Sequence, residues 1–113
     1  MDLLLDIIQE EKYVHVGVKG EIDLYSVKQL KEQVTDLIER KKACNLLLDL
    51  TGVNYIDSTG LGILIGIKRR CTERGGKVFL VSSSDRITNL FSITGLNKIF
   101  TIFKTVEEAV PNF

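Results

Sequence analysis

Apolar and polar residues alternate twice near the start of the chain, at Leu3, Leu5 and Ile7 and again at Val14, Val16 and Val18. The polar run Gln9-Glu10-Glu11-Lys12 between them makes the pair a β-hairpin. The period then changes. Val27, Leu30, Val34, Leu37 and Ile38 form one apolar stripe at helical spacing, and Ser26 with Gln29 forms a capping box that opens this helix. Asn45 to Leu50 is a short apolar run of buried-strand type, and Gly52 to Ile56 is expected to let the chain turn. Helical spacing resumes from Thr59 to Arg74, stops at Gly75-Gly76, and gives way to a strand over Lys77 to Val81. Ser84 or Asp85 caps a short helix carrying Ile87, Leu90, Phe91 and Thr94, closed by Gly95. A last strand is expected around Phe100 to Phe103, and Thr105 with Glu108 forms a second capping box over a final helical turn.

A hairpin followed by strand–helix alternation implies an α/β fold: a mixed sheet of four to five strands, antiparallel at the N-terminal hairpin and parallel where crossover helices intervene. Right-handed crossovers carry Ser26–Lys42 and Thr59–Arg74 across the sheet and leave the chain around Ser58 at a strand's carboxyl end. The 113 residues are expected to form one domain, 1–113. At that size folding buries roughly two-thirds of the unfolded surface, enough for a core without staples.

The hinge Asp57-Ser58-Thr59-Gly60-Leu61-Gly62 carries the candidate chemistry. Either Asp57 or Ser58 falls at the helix N-cap, so the Ser58 hydroxyl is expected at the surface, open to modification. At about 100° per residue, Ile63, Leu64, Ile67 and Cys71 cluster on one side of the following helix. Leu61 and Ile65 lie on the flank, widening the apolar arc of the first turns to roughly 200°, about twice what facing a core demands. Lys68 and Thr72 occupy that flank further along. Two readings follow. Leu61 and Ile65 form an exposed patch beside Ser58, with Gly60 and Gly62 offering approachable backbone to a partner. Or a neighbouring element of the same domain covers them; periodicity alone does not separate the two.

Charge and composition narrow the classes. Fifteen Lys+Arg against fifteen Asp+Glu give a net charge of zero, so no overall field recruits nucleic acid or an anionic membrane. The basic runs Arg40-Lys41-Lys42 and Lys68-Arg69-Arg70 sit in helix C-terminal halves, where cations complement the dipole. The longest apolar stretch, Leu61 to Ile67, holds two glycines and meets Lys68, so no spanning segment or signal peptide is expected and the protein reads as cytoplasmic. Cys44 and Cys71 match no CxxC or zinc spacing and are expected as reduced thiols. His15, the one histidine, stands between Val14 and Val16 in a strand; a Ser-His-Asp triad has no support and Ser58 lacks the G-x-S-x-G elbow. Gly60 to Lys68 is not a P-loop. No catalytic residue, metal site or cofactor is therefore expected, and the chain reads as a non-enzyme. Asp49 resembles a receiver-domain phospho-acceptor only superficially, since the acidic pair after a first parallel strand is missing; it reads as an ordinary strand-end carboxylate.

Four segments in order, Gly20-Glu21-Ile22-Asp23, Leu48-Asp49-Leu50, Val53 to Gly62, and Phe91-Ser92-Ile93-Thr94-Gly95-Leu96, together resemble the bacterial anti-sigma factor antagonists, which are single STAS domains. The likeness covers nearly the whole chain, and its most specific part is Asp-Ser-Thr-Gly-Leu-Gly after an apolar strand. It implies a STAS fold and a partner-switching role in transcription. The unmodified protein binds an anti-sigma factor that is also a serine kinase, and phosphorylation of the serine matching Ser58 releases it. A separate serine phosphatase reverses the modification. The resemblance also implies that Asp23, Asp57, Thr59, Gly60, Leu61 and Gly62 lie in the docking surface, which the helical phase extends to Ile65. The chain is expected to be monomeric alone. The rival from another class is a STAS-type sensor binding a nucleotide or anion at the helix N-terminus near Ser58, although basic residues are not evident there.

Overall fold

A computed structural model describes residues 3–113. Among them, β1 (Leu4–Gln9) and β2 (Val14–Ile22) form the expected hairpin, with Val14, Val16 and Val18 buried in the core. There follow α1 (Val27–Glu39), β3 (Leu46–Ile56), α2 (Ser58–Glu73), β4 (Val78–Val81), α3 (Asp85–Ile93), β5 (Thr101–Phe103) and α4 (Val106–Ala109). The described strands make one five-stranded sheet in the order β1-β2-β3-β4-β5, antiparallel at β1·β2 and parallel elsewhere. The mixed α/β architecture expected from the sequence is thus the observed one.

All five residues of the α1 stripe, Val27, Leu30, Val34, Leu37 and Ile38, are buried. Each stabilises the fold by about 1.5–3 kcal/mol, an upper range because unfolded chains already bury part of such surface. They join Leu46, Leu48 and Leu50 of β3 and Val78 and Leu80 of β4 in the main core. Leu47 and Val81 point to the opposite face, as strand alternation requires, and are covered there by Ala109 of α4 with Phe79, Phe103 and Phe113 around them. Ser84 and Thr105 cap α3 and α4 through their hydroxyls, accepting from the Ile87 and Glu108 N–H groups, and Gly95 adopts φ 77° after α3. Cys44 and Cys71 are free thiols, and burial pushes the Cys71 thiol up to about 11.

Two local expectations fail. Gly52 to Ile56 is not a turn but the second half of β3, which runs for eleven residues. Gly52 is there because β2 shifts register between Gly17 and Lys19; a Cβ on Gly52 would stand 3.1 Å from both the Lys19 Cβ and the Val18 carbonyl oxygen. A glycine in a strand at such a shift marks close backbone approach, which sequence punctuation does not distinguish from a turn. The Ser26–Gln29 capping box is also absent. Ser26 Oγ instead donates to the Glu21 carbonyl at 2.6 Å, and the Gln29 side chain pairs with the Leu3 backbone, donating to its carbonyl at 2.8 Å. Both side chains found tertiary partners, and the entry to α1 is organised by Asp23.

Candidate functional site

β3 ends at Ile56 and α2 begins at Ser58, so Asp57 alone makes the turn from sheet to helix. Of the two cap candidates Asp57 prevails: its backbone is extended and its Oδ1 accepts from the Gly60 N–H at 2.9 Å. Such a cap stabilises a helix by about 1 kcal/mol. Ser58 is then the first residue of α2 and is exposed, as is Thr59. The Asp57 N–H donates to the Ile22 carbonyl at 3.1 Å, fastening the turn to the end of β2.

The second carboxylate oxygen of Asp57 reaches the loop between β2 and α1, where Oδ2 accepts from the Leu24 N–H at 3.0 Å. Asp23, on the same loop, uses Oδ1 to accept from the Tyr25 and Ser26 N–H groups, both at 3.0 Å. Asp23 and Asp57 are half-buried, and the structure brings both to the Ser58 end of the sheet.

The remaining expected docking residues divide. Gly62 and Thr59 are exposed, and a Cβ on Gly62 would meet open space. Gly60 and Leu61 are buried, Leu61 to 7 % exposure, so of the two readings left open for Leu61 the exposed patch is ruled out and cover by the same domain is observed. Ile65 is half-buried against the core. The physical reason is that α2 lies on β3 and β4 and also against α1, so its covered arc is wider than that of a helix resting on a sheet alone. Leu61 belongs to the stripe Leu61, Leu64, Ile67, Cys71, while Ile63, expected on the same side as the last three, is only half-buried. Gly60 serves the protein's own packing: a Cβ there would stand 2.7 Å from the Ile22 carbonyl oxygen and Cγ2, and 2.9 Å from Ile56 Cγ2.

Exposed apolar surface does occur near Ser58, on other residues. Leu24 is 64 % and Tyr25 87 % exposed on the loop that Asp57 holds. Beside the end of β3, Tyr55 and Ile93 are exposed and share a groove with Arg86 and Leu90. These four apolar residues belong to no periodic stripe, and that signal was available in the sequence: Leu24 and Tyr25 fall between the Asp23 turn and the start of α1, out of phase with both.

His15 and Asp49 were not paired from sequence, yet His15 Nε2 lies 2.9 Å from Asp49 Oδ2. Both sit on the sheet face opposite the α1 and α2 stripes, away from Ser58, so His15 is a satisfied structural residue. Partial burial alone pushes the Asp49 carboxyl up. Hydrogen bonds from the Thr51 hydroxyl, His15 and the Thr51 N–H, with the His15 charge, outweigh it and hold the carboxyl below its ordinary value. No group of three or more His, Cys, Asp or Glu residues among those described is placed to hold a metal ion. No helix among them is long and apolar enough to cross a membrane.

Comparison with known proteins fits this geometry. The sequence model of the STAS domain matches residues 5–109. The anti-sigma-B factor antagonist of Bacillus subtilis (strain 168) is 37 % identical over 110 residues, covering 97 % of this chain and 99 % of that protein. Among solved structures, a candidate anti-sigma factor antagonist from Thermotoga maritima superposes with a TM-score of 0.90 at 26 % identity, covering 96 % of this chain and 92 % of that one. The Bacillus cell fate determinant SpoIIAA, solved in its phosphorylated form, shares the fold with a TM-score of 0.73 at 22 % identity over 97 % of both chains. A strand-to-helix turn capped by Asp57, with Ser58 exposed beyond it, on a sheet of this order and with these relatives, places the chain in the STAS domain family, among the anti-sigma factor antagonists.

Proposed function

We propose that this protein is an anti-sigma factor antagonist that works by partner switching, with Ser58 as the phosphorylated residue. Unmodified, it binds an anti-sigma factor that is also a serine kinase and so frees a sigma factor for transcription. The kinase transfers a phosphoryl group from its own ATP to Ser58 Oγ, and a serine phosphatase removes it. The protein acts as a cytoplasmic single domain, without cofactor or nucleic acid. The observation that carries this reading is an exposed hydroxyl on the first turn of α2, flanked by half-buried Asp23 and Asp57 and by exposed Thr59 and Gly62. Gly60 and Leu61 support that turn from within, and Ile65 lies at its margin. The identity to the Bacillus subtilis antagonist and the phosphorylated form of SpoIIAA support the same reading.

Magnitudes explain why one phosphate suffices. It adds about −1.5 to −2 charges at neutral pH, next to Asp57. The helix N-terminus stabilises that anion by about 0.3–1 kcal/mol, so the fold tolerates it. In a desolvated contact the same uncompensated charge costs on the order of several kcal/mol, two or more decades of affinity. Phosphorylated protein is therefore expected to melt close to the unmodified protein's temperature and to lose the anti-sigma factor in a pull-down. Ser58→Ala keeps binding and escapes modification, and Ser58→Asp binds weakly. Peptide mapping after kinase treatment separates Ser58 from Thr59; phosphate on Thr59 alone, or tight binding by the phosphorylated protein, overturns the reading.

A further inference from the structure

We propose that Leu24 and Tyr25 are the apolar anchors by which the anti-sigma factor kinase docks, and that Asp57 is the positioning residue that holds them in register with Ser58. The inference rests on the docking reading above and names the surface that performs it. Every N–H from residue 23 to residue 27 is hydrogen-bonded. Asp23 N–H donates to Ser26 Oγ at 3.0 Å, Leu24 N–H to Asp57 Oδ2 at 3.0 Å, and Tyr25 N–H to Asp23 Oδ1 at 3.0 Å. Ser26 N–H donates to Asp23 Oδ1 at 3.0 Å, and Val27 N–H to the Asp23 carbonyl at 2.9 Å. A backbone held at each position nevertheless presents a leucine 64 % exposed and a tyrosine 87 % exposed.

The backbone hydrogen bonds hold this loop in one conformation, in which both apolar side chains are exposed. Fixing them before contact lowers the ordering cost of association, and tyrosine is among the residues that dominate interface energies. The occupant follows from the hydrogen bond to Asp57. The backbone of Leu24 lies 3.0 Å from a carboxylate oxygen of the residue preceding Ser58, so a kinase that brings a phosphoryl donor to Ser58 Oγ also covers this loop. The matching surface on that kinase is an uncharged apolar depression beside its phosphoryl-donor site. Asp57 is suited to the positioning task because one oxygen caps α2 at Gly60 while the other holds Leu24, making acceptor helix and anchor loop one unit.

Asp57→Asn separates the two halves, because the amide has one acceptor oxygen where the carboxylate has two: with that oxygen capping Gly60, as asparagine does about as well as aspartate, the NH2 left beside the Leu24 N–H cannot accept from it. Amide hydrogen exchange on the isolated variant is expected to be at least about tenfold faster at Leu24, with Gly60 still protected. Unchanged protection at both Leu24 and Gly60 overturns the positioning role. The anchors are tested with the host's own anti-sigma factor, purified, using the unmodified chain as substrate for phosphorylation. Tyr25→Ala and Leu24→Ala, both at exposed positions, are expected to raise KM at least about tenfold with kcat within about twofold and the melting temperature unchanged. Wild-type chain that is phosphorylated while both variants keep its KM overturns the anchor assignment alone. Wild-type chain that neither binds nor is phosphorylated overturns the docking reading and this inference together, whereas the exchange result on the isolated chain stands apart from either.

Discussion

Gly60 and Gly62 stand two residues apart in the same helical turn, and the sequence offers both as backbone that a partner could approach. Only the neighbours distinguish them. Gly60 faces the Ile22 carbonyl oxygen at 2.7 Å from where a Cβ would stand, and that oxygen is backbone, which cannot swing aside as a side chain can. Gly60→Ala is therefore expected to destabilise the protein by about 1–3 kcal/mol, read as a lower urea midpoint at unchanged slope. No pattern within the hinge carried this information, because the crowding comes from Ile22 and Ile56 on two different strands. The same limit hid the partner of Asp49. His15 lies 34 positions away and meets it only through the parallel pairing of β2 with β3. Since the folded state favours the Asp49 carboxylate, its contribution to stability is complete above the ordinary carboxyl value of 3.8 and is lost as pH falls through the lower folded value. Asp49→Asn removes that contribution, so its stability is expected to fall less steeply than that of the wild type as pH drops below the ordinary carboxyl value of 3.8 in urea titrations.

At the scale of elements, what was legible depended on whether an element carries more apolar positions than one stripe holds. The α1 stripe could be read residue for residue because its five apolar residues are the buried ones, and the caps at Ser84 and Thr105 because each acts within its own turn. In α2 the apolar positions outnumber one stripe, and only the packing against sheet and α1 decides that Leu61 is the covered one and Ile63 the half-buried one. The second face of the sheet was not foreseen at all. There the C-terminal Phe113 stacks on Tyr13, ring centroids 4.8 Å apart and 5° from parallel, and meets Phe79 edge-on, also at 4.8 Å. Phe79 in turn meets Phe103 at 5.4 Å. Those contacts join the β1–β2 turn region, β4, β5 and the chain's end, positions with no shared period. Aromatic pairs contribute about 0.5–1.5 kcal/mol each beyond area burial, so Phe113→Ala, which deletes two, is expected to cost about 1–3 kcal/mol. Calorimetry of the variant checks this, and because the cluster lies across the sheet from Ser58, phosphorylation of the folded variant should proceed at the wild-type rate.

For the whole molecule, the hinge divides into a layer that holds the fold together and a layer that faces outward, and adjacent residues fall on opposite sides of the division. Leu61 is sealed at 7 % exposure, whereas Gly62, the next residue, is exposed with open space where a side chain would go. A glutamate at each position makes the division measurable. Leu61→Glu places an unpaired carboxylate in the core and is expected to cost upwards of about 3 kcal/mol or to unfold the chain, so any loss of partner binding by that variant reports folding rather than docking. Gly62→Glu removes a helix-weakening glycine and adds an acid near the N-terminus of α2, which together are expected to raise stability by about 0.5–1 kcal/mol. On the outward surface the same charge stands one helical turn from Ser58 and opposes docking much as a phosphate would. The variant should therefore melt higher than the wild type and yet be a poor substrate for the kinase. Paired melts and phosphorylation time courses decide the matter: a Gly62→Glu protein modified at the wild-type rate would mean that the kinase approaches Ser58 from the side of the Leu24–Tyr25 loop without covering Gly62.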